Sequence, residues 1–163
     1  MRSLLLPPLA IAALTLCAAA AHAQGSCSLN LEANDMMQFS TQKLTVAADC
    51  DEVELTLKHT GSANPAGMLH NWVLVRRADM SAVATAGLKA GREHEYRPAG
   101  DTRVLAATPL VGGGQSTSIR FDSRALNTGE VYAFFCSTPG HNVIMRGQLV
   151  REAGARVADA SSR

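Results

Sequence analysis

Apolar and polar residues alternate with a period of two along several short segments of this chain. In the segment 52–59, Val53, Leu55, Leu57 and His59 alternate with charged or hydroxyl-bearing residues. This period is typical of a β-strand that buries one face and exposes the other. The pattern therefore predicts a half-buried strand here.

Seven further segments have strand-like composition and are separated by turn-forming residues: 28–32, 43–47, 71–76, 103–107, 117–122, 131–136 and 146–151. Eight short strands with turn signals between them predict an all-β protein, an antiparallel sandwich or barrel. Only the segment 78–90, followed by Gly91, has a helical pattern. We expect it to be a short insertion outside the sheets.

The two ends of the chain differ from this β-rich middle. Arg2 precedes an apolar run, and small residues then lead to Ala23, so segment 1–23 is predicted to be a secretory signal peptide cut after Ala23. Its apolar part is too short for a membrane span, and we expect no membrane insertion. The middle of the chain, 24–152, has the length of a single domain and is predicted to be one, and the small polar tail 153–163 is predicted to be disordered.

Charge excludes some classes of function. The chain has 15 Lys+Arg and 14 Asp+Glu, and segment 1–23 holds one of the arginines and no acid, so the remainder is formally neutral. A basic nucleic-acid face is therefore not predicted. The run 112–114 is three glycines without the lysine of a phosphate-binding loop, and it predicts a turn.

Three cysteines follow the signal peptide: Cys27, Cys50 and Cys136. In an oxidising compartment two should pair and one is left over. The local pair of Cys27 and Cys50 would close a short loop, which leaves Cys136. A free thiol in an exported protein calls for an explanation, and a bound metal supplies one.

Metal-ligating residues cluster after the seventh predicted strand. Cys136, His141 and Met145 lie in one loop that contains a Pro-Gly turn, and His70 precedes a strand far upstream. Two imidazoles, a thiolate and a thioether form the ligand set of a trigonal copper site with a weak axial ligand. A structural zinc site would more often have paired C-x-x-C spacing, which is absent from the sequence.

The same four residues also have structural interpretations that involve no metal. Each histidine could be a hydrogen-bonded polar residue, Met145 a core residue and Cys136 an inert buried thiol. A catalytic thiol paired with His141 would need an acid-base partner nearby, and the sequence around the loop supplies none. The joint spacing of the four favours the metal.

Several motifs resemble those of the azurins, a family of bacterial blue copper proteins of the cupredoxin type. They cover roughly residues 27–150, and they are Cys27-Ser-Leu, Asn34-Asp-Met-Met-Gln-Phe39, Met68-Leu-His-Asn-Trp-Val-Leu74, Ala78-Asp-Met80, Phe134-Phe-Cys136, Pro139-Gly-His141 and Met145-Arg-Gly147. The resemblance implies an eight-stranded Greek-key β-sandwich and a disulfide between Cys27 and Cys50. It also implies one type 1 copper ion, bound by His70, Cys136 and His141 and axially by Met145.

The resemblance assigns roles to three neighbours of the ligands. Asn71 is expected to hold the two ligand-bearing segments together. Leu69 stands where azurins usually have glycine, and its backbone carbonyl is a possible weak axial ligand. Thr138 stands where they usually have an aromatic residue. We expect its hydroxyl to admit water or to donate toward the sulfur of Cys136, and either effect would raise the reduction potential.

The implied function is that of a soluble periplasmic one-electron carrier that cycles between Cu(II) and Cu(I), and not an enzyme. The expected partners are redox proteins such as c-type cytochromes or copper or haem reductases. They would dock at an apolar patch around His141, for which the candidates are Met36, Met37, Met68 and Leu88.

Two alternatives stay open: a copper-binding or storage protein without a redox partner, and the electron-feeding domain of a copper enzyme. The enzyme would need further histidines, and after the predicted signal peptide only His59 and His94 remain beyond the ligands. His59 is predicted to be a buried structural residue, which the resemblance places beside the copper, where it could couple pH to redox state. His94 is predicted to face solvent.

Overall fold

The computed structural model describes residues 27–62 and 67–153. The predicted signal peptide, 1–23, and residues 154–163 of the predicted tail lie outside the described residues. No helix in the described ranges is long and apolar enough to cross a membrane.

Eight strands form where the sequence predicted them, with ends that shift by up to two residues. They are β1 Ser28–Ala33, β2 Lys43–Val46, β3 Glu52–His59, β4 Val73–Arg76, β5 Val104–Ala107, β6 Ser116–Asp122, β7 Val131–Phe135 and β8 Arg146–Arg151. The α-helix, α1, spans Met80–Ala90 and follows a 3₁₀ turn at Arg77–Asp79. The all-β prediction with one inserted helix is confirmed.

The strands form two sheets, ordered β1-β3-β6 and β2-β8-β7-β4-β5. Most neighbours are antiparallel, but β1 is parallel to β3 and β2 is parallel to β8. The expectation of a wholly antiparallel sandwich is therefore wrong in these two pairings. The reason is that the chain crosses from one sheet to the other between β1 and β2, and strands not joined by a hairpin are free to pair in parallel.

The core lies between the two sheets. The alternation in β3 is confirmed, since Val53, Leu55, Leu57 and His59 are fully buried and the residues between them are not. The facing sheet contributes large inward side chains, which are Trp72, Leu74, Tyr132, Phe134 and Leu149. Burial of such side chains is the main stabilising contribution to the sandwich.

A smaller apolar layer covers the outer face of the five-stranded sheet. Val83 of α1 packs with Val73, Val75, Ala133 and Phe135. Strands β4 and β7 are thus buried on both faces, which explains why their sequences are apolar without interruption. The helix lies outside the sandwich as predicted.

The disulfide between Cys27 and Cys50 is present, with Cα atoms 5.4 Å apart across 23 positions. It ties the start of β1 to the start of β3, where the amide of Glu54 also donates to the carbonyl of Cys27. Closing a loop of this length stabilises the fold by roughly 3 kcal/mol through the unfolded chain. Cys136 is the free, buried cysteine of the described residues.

Candidate metal centre

His70 lies on an extended segment that enters β4. Its backbone exchanges two hydrogen bonds with Val111, of 2.9 and 2.8 Å, and its side chain is fully buried. His70 thus forms an isolated bridge with Val111, and β4 itself begins at Val73 and not at residue 71. The imidazole Nε2 lies 2.9 Å from the carbonyl oxygen of Asn34 and must donate to it, which leaves Nδ1 as an acceptor.

The second segment, 136–145, is a tight loop between β7 and β8. The amide of Cys136 donates to the carbonyl of Met145 at 3.0 Å, and the amide of Met145 donates to the carbonyl of His141 at 2.7 Å. Gly140 has a φ of +82°, a left-handed conformation that side chains other than glycine rarely adopt. The loop is therefore closed on itself and holds its three candidate ligands in fixed relative positions.

Three of the predicted ligands meet at one point. The Nδ1 atoms of His70 and His141 are 3.2 Å apart, and the sulfur of Cys136 lies 3.8 Å from the first and 3.6 Å from the second. These side chains form the one group of metal-ligating residues in the described part of the chain. All three are buried.

These separations fit a metal ion bound between the three atoms. First-row metals bind imidazole nitrogen at about 2.0–2.1 Å and thiolate sulfur at about 2.3 Å. With bond angles of 105–120°, the nitrogens would be roughly 3.3–3.6 Å apart and each nitrogen roughly 3.5–3.8 Å from the sulfur. The observed values agree to within about 0.1 Å, and a soft thiolate with two imidazoles suits copper.

Met145, the fourth predicted ligand, is fully buried and belongs to the main core cluster. Its backbone contacts both Cys136 and His141, as described above, which fixes its main chain at the same end of the sandwich. A buried thioether can serve either as core packing or as a weak axial ligand.

Burial sets the protonation of the ligands. It lowers the pKa of His70 to about 4 and also lowers the pKa of His141, so both imidazoles are neutral at pH 7. Burial raises the pKa of the Cys136 thiol, which hydrogen-bonding contacts with Asn71 and Thr138 lower in part. Metal binding must therefore displace the thiol proton, while the imidazoles need lose none.

Asn71 joins the two ligand-bearing segments. Its Oδ1 accepts from the amide of Ser137 at 2.8 Å, and its Nδ2 donates to the hydroxyl of Ser137 at 2.8 Å and to the carbonyl of Glu95 at 3.0 Å. The neighbour of His70 is thus bonded to the neighbour of Cys136 and to the loop after α1. The sequence did not predict the contact with Glu95. Every residue has a backbone carbonyl, so the residue type gives no indication of this hydrogen bond.

Thr138 contacts the backbone of Leu69. Its hydroxyl donates to the Leu69 carbonyl oxygen at 2.8 Å. A threonine hydroxyl has a single proton, so this donation competes with the predicted donation toward the sulfur of Cys136. The two positions at which this chain departs from the usual azurin residues are therefore in direct contact.

The other histidines lie where the sequence predicted. His59 is fully buried and stacks on the ring of His70, with centroids 4.6 Å apart. Its Nδ1 accepts from the amide of Gly61 at 3.0 Å, so it is a neighbour of the metal-ligating group and not a member of it. His94 is exposed.

Several large apolar side chains are exposed on the surface beside the centre. His141 is 8 % exposed, whereas the other three candidate ligands are 0 % exposed. Met36, at 67 %, lines a groove together with Val143 and Ile144, which are 65 % and 51 % exposed. Sequence reasoning named Met36 but missed the other two, although apolar β-branched residues in a loop beside a ligand are a usable signal.

The other residues predicted to form an apolar patch around His141 do not all lie beside Met36. Met37 is half-buried, packs against the core and lines the groove of Met36, while Met68 is half-buried. Leu88, 56 % exposed, lies on the α1 side of the loop, where it lines a depression with Pro139 and Gly140. The candidates thus lie on two sides of the 136–145 loop.

Copper-free protein should lose stability as the pH falls from about 6.5 to about 4. Unfolded His70 takes up a proton over this range and the folded residue does not, so stability rises with pH, and His70 contributes about 3 kcal/mol or less to this rise. Urea unfolding of the copper-free protein at a series of pH values measures this. His70→Asn should make the pH dependence shallower, and the remainder comes in part from His141, whose pKa burial also lowers. His94→Asn should leave the dependence unchanged, and equal slopes in both variants would contradict the assignment.

Comparison with known proteins agrees with this geometry. Residues 25–152 match the family of copper binding proteins described as plastocyanin/azurin. The azurin of Alcaligenes faecalis is 48% identical over 124 residues, which cover 76% of this chain and 97% of that protein. The azurin of Bordetella pertussis is 46% identical over 123 residues, which cover 76% and 82%.

A solved structure gives the same result for the fold. An azurin, Az-iso2, from Methylomonas sp. strain J superposes with a TM-score of 0.75 at 42% identity, over 78% of this chain and 99% of that one. The resemblance found in the sequence is confirmed, and copper is the cofactor that the family and the His-Cys-His group indicate. The chain therefore belongs to the plastocyanin/azurin family of copper-binding proteins.

Proposed function

We propose that this protein is a periplasmic one-electron carrier whose copper is bound by His70, Cys136 and His141 and axially by Met145. The observation that carries the proposal is the convergence of two Nδ1 atoms and one sulfur within 3.2–3.8 Å of one another. Bound copper supplies a Cu(II)/Cu(I) couple, which accepts and releases one electron. The rest of the function falls to the protein.

The protein keeps the ligands nearly still while the charge changes. Asn34 fixes the ring of His70, and Asn71 fixes the spacing between the two segments. The 136–145 loop is closed by its own backbone bonds. Because outer hydrogen bonds of this kind restrict ligand motion, little reorganisation accompanies electron transfer.

The route to the partner runs through His141, the candidate ligand with an exposed edge. Partner redox proteins, such as c-type cytochromes or copper or haem reductases, would contact the apolar surface formed by Met36, Val143 and Ile144. A small apolar contact permits weak binding and quick release, which a carrier requires.

Export is supported by two features. The segment 1–23 has the composition of a signal peptide, and the Cys27–Cys50 disulfide is of a kind that persists in oxidising compartments. Both fit a periplasmic location.

The two rival functions have less support. A copper enzyme would need a second centre, and His59 and His94 join no further metal-ligating group in the described ranges. A storage protein would have no use for apolar residues exposed around a single buried site. The carrier function explains both the site and its surface.

The thiolate assignment is tested by colour. Cys136→Ser should abolish the intense blue absorption of the Cu(II) protein while the fold persists, because the sulfur is the donor responsible for it. Optical and paramagnetic resonance spectra measure the site, and urea unfolding verifies the fold. A serine variant that stays intensely blue would refute the assignment.

The carrier function is tested by electron exchange. The copper protein should react rapidly and reversibly with a small c-type cytochrome and should contain one copper per chain. Stopped-flow mixing measures the rate of electron exchange in both directions, and metal analysis measures the copper content per chain. Exchange that is slow in both directions would favour storage, and two or more coppers per chain would favour an enzyme.

The Thr138–Leu69 contact should tune the reduction potential. Thr138→Val removes the donor at nearly constant volume, which frees the Leu69 carbonyl to stabilise Cu(II), so the potential should fall. Losing a hydrogen bond of about 1 kcal/mol corresponds to a few tens of millivolts for one electron. Thr138→Ser keeps the hydroxyl and serves as the control, and voltammetry measures all three proteins. A potential unchanged in the valine variant would exclude this role.

A further inference from the structure

Three exposed cations line one groove on the outer face of the five-stranded sheet. They are Lys43, Arg77 and Arg146, and the groove has a volume of about 540 Å³. Its remaining lining includes Met80 and Ala133. Nothing in the proposed copper chemistry uses these three side chains.

The fold brings the cations together from three separate elements. Lys43 begins the edge strand β2 and is paired in register with Gln148 of β8, on which Arg146 lies two residues earlier. Arg77 begins the 3₁₀ turn that leads into α1. Residues two apart on a strand share a face, so Arg146 and Gln148 lie on the same side of the sheet.

No carboxylate of the described residues neutralises the positive charge of the groove. Other arginines have their own carboxylates, as in the pairs Arg76–Glu130, Arg103–Asp101 and Arg124–Asp122. None of the three groove cations forms an ion pair with a described residue, and no carboxylate lines the groove. A formally neutral domain therefore presents a local positive surface.

The groove is continuous with the surface of exposed apolar residues beside the 136–145 loop. Arg146 and Gln42 also line the neighbouring groove of Met36, Val143 and Ile144. The last two follow His141 by two and three residues. A molecule bound across both grooves would therefore lie next to the exposed edge of His141.

We propose that the groove of Lys43, Arg77 and Arg146 receives carboxylates of an acidic redox protein and orients it over His141. The proposal rests on the carrier function above and names the chemical type of its partner. An apolar centre with a charged rim is the usual composition of such an interface. A protein partner is favoured over a small anion because the cations are exposed and the binding surface continues into apolar side chains.

The expected effect is on association more than on affinity. Exposed ion pairs contribute at most about 1 kcal/mol each, whereas complementary charge raises the rate of productive encounter and fixes orientation. That rate gain is lost as salt screens the charges. Salt dependence is therefore the diagnostic measurement.

The test uses the copper-loaded mature protein and two small c-type cytochromes, one acidic and one basic. The triple variant Lys43→Gln, Arg77→Gln, Arg146→Gln should react with the acidic cytochrome about tenfold more slowly at low ionic strength and should lose most of the salt dependence. The matched control, Lys58→Gln, Lys89→Gln, Arg92→Gln, removes the same charge from exposed cations that do not line the groove. It should keep the salt dependence of the unmodified protein.

The outcomes separate the two proposals. Equal losses in both variants would show that net charge alone acts, and would overturn the groove. An unchanged salt dependence in the groove variant would also overturn the groove proposal. If the protein still gave a reversible one-electron wave at an electrode, the carrier function would stand. Absence of that wave in the unmodified protein would overturn both. Groove-dependent binding to phosphatidylglycerol vesicles with unchanged cytochrome kinetics would assign the groove to lipid instead.

Discussion

The contact between His70 and the 136–145 loop is the constraint on which the rest of this structure depends. The two segments are more than sixty residues apart in sequence, yet their ring nitrogens and sulfur lie within 3.2–3.8 Å of one another. Such proximity brings buried polar groups together and costs free energy unless they are hydrogen-bonded or bind a metal. The hydrogen bonds of Asn71 and the backbone hydrogen bonds within the 136–145 loop offset part of this free-energy cost. The sandwich holds the two segments in place.

Local patterns in the sequence were enough to predict the strands and the ligand-bearing loop. The alternation in β3 indicates a strand with one buried face. The consecutive apolar residues of β4 indicate a strand that is buried on both faces. Pairing was harder to predict, because the direction of β1 beside β3 depends on where the chain crosses between sheets and not on residue type. The start of β4 was also missed, since the pairing of His70 with Val111 is a long-range contact.

At the site, residue types predicted which side chains would lie together, and His70, Cys136 and His141 do so, but they did not predict the contacts around them. The carbonyl of Glu95 accepts from Asn71, and any residue could supply that oxygen. The bond between Thr138 and Leu69 joins two departures from the usual azurin residues. A hydroxyl has one proton, so what it does at the site depends on which acceptor is nearer, and only coordinates can decide that.

Charge and apolar surface act together at the edge of the site. An electron carrier must recognise its partner and then release it quickly. An interface that buries a large surface area would slow this release. In the docking proposed above, the exposed apolar residues Val143 and Ile144 would supply a small contact area. The groove cations, which pair with no carboxylate in the described part of the chain, would act mainly on the approach. Because Arg146 borders both surfaces, one rigid strand end sets the distance between the charged groove and the apolar contact. The orientation of the proposed partner would then follow from the same β-sandwich that positions the candidate ligands.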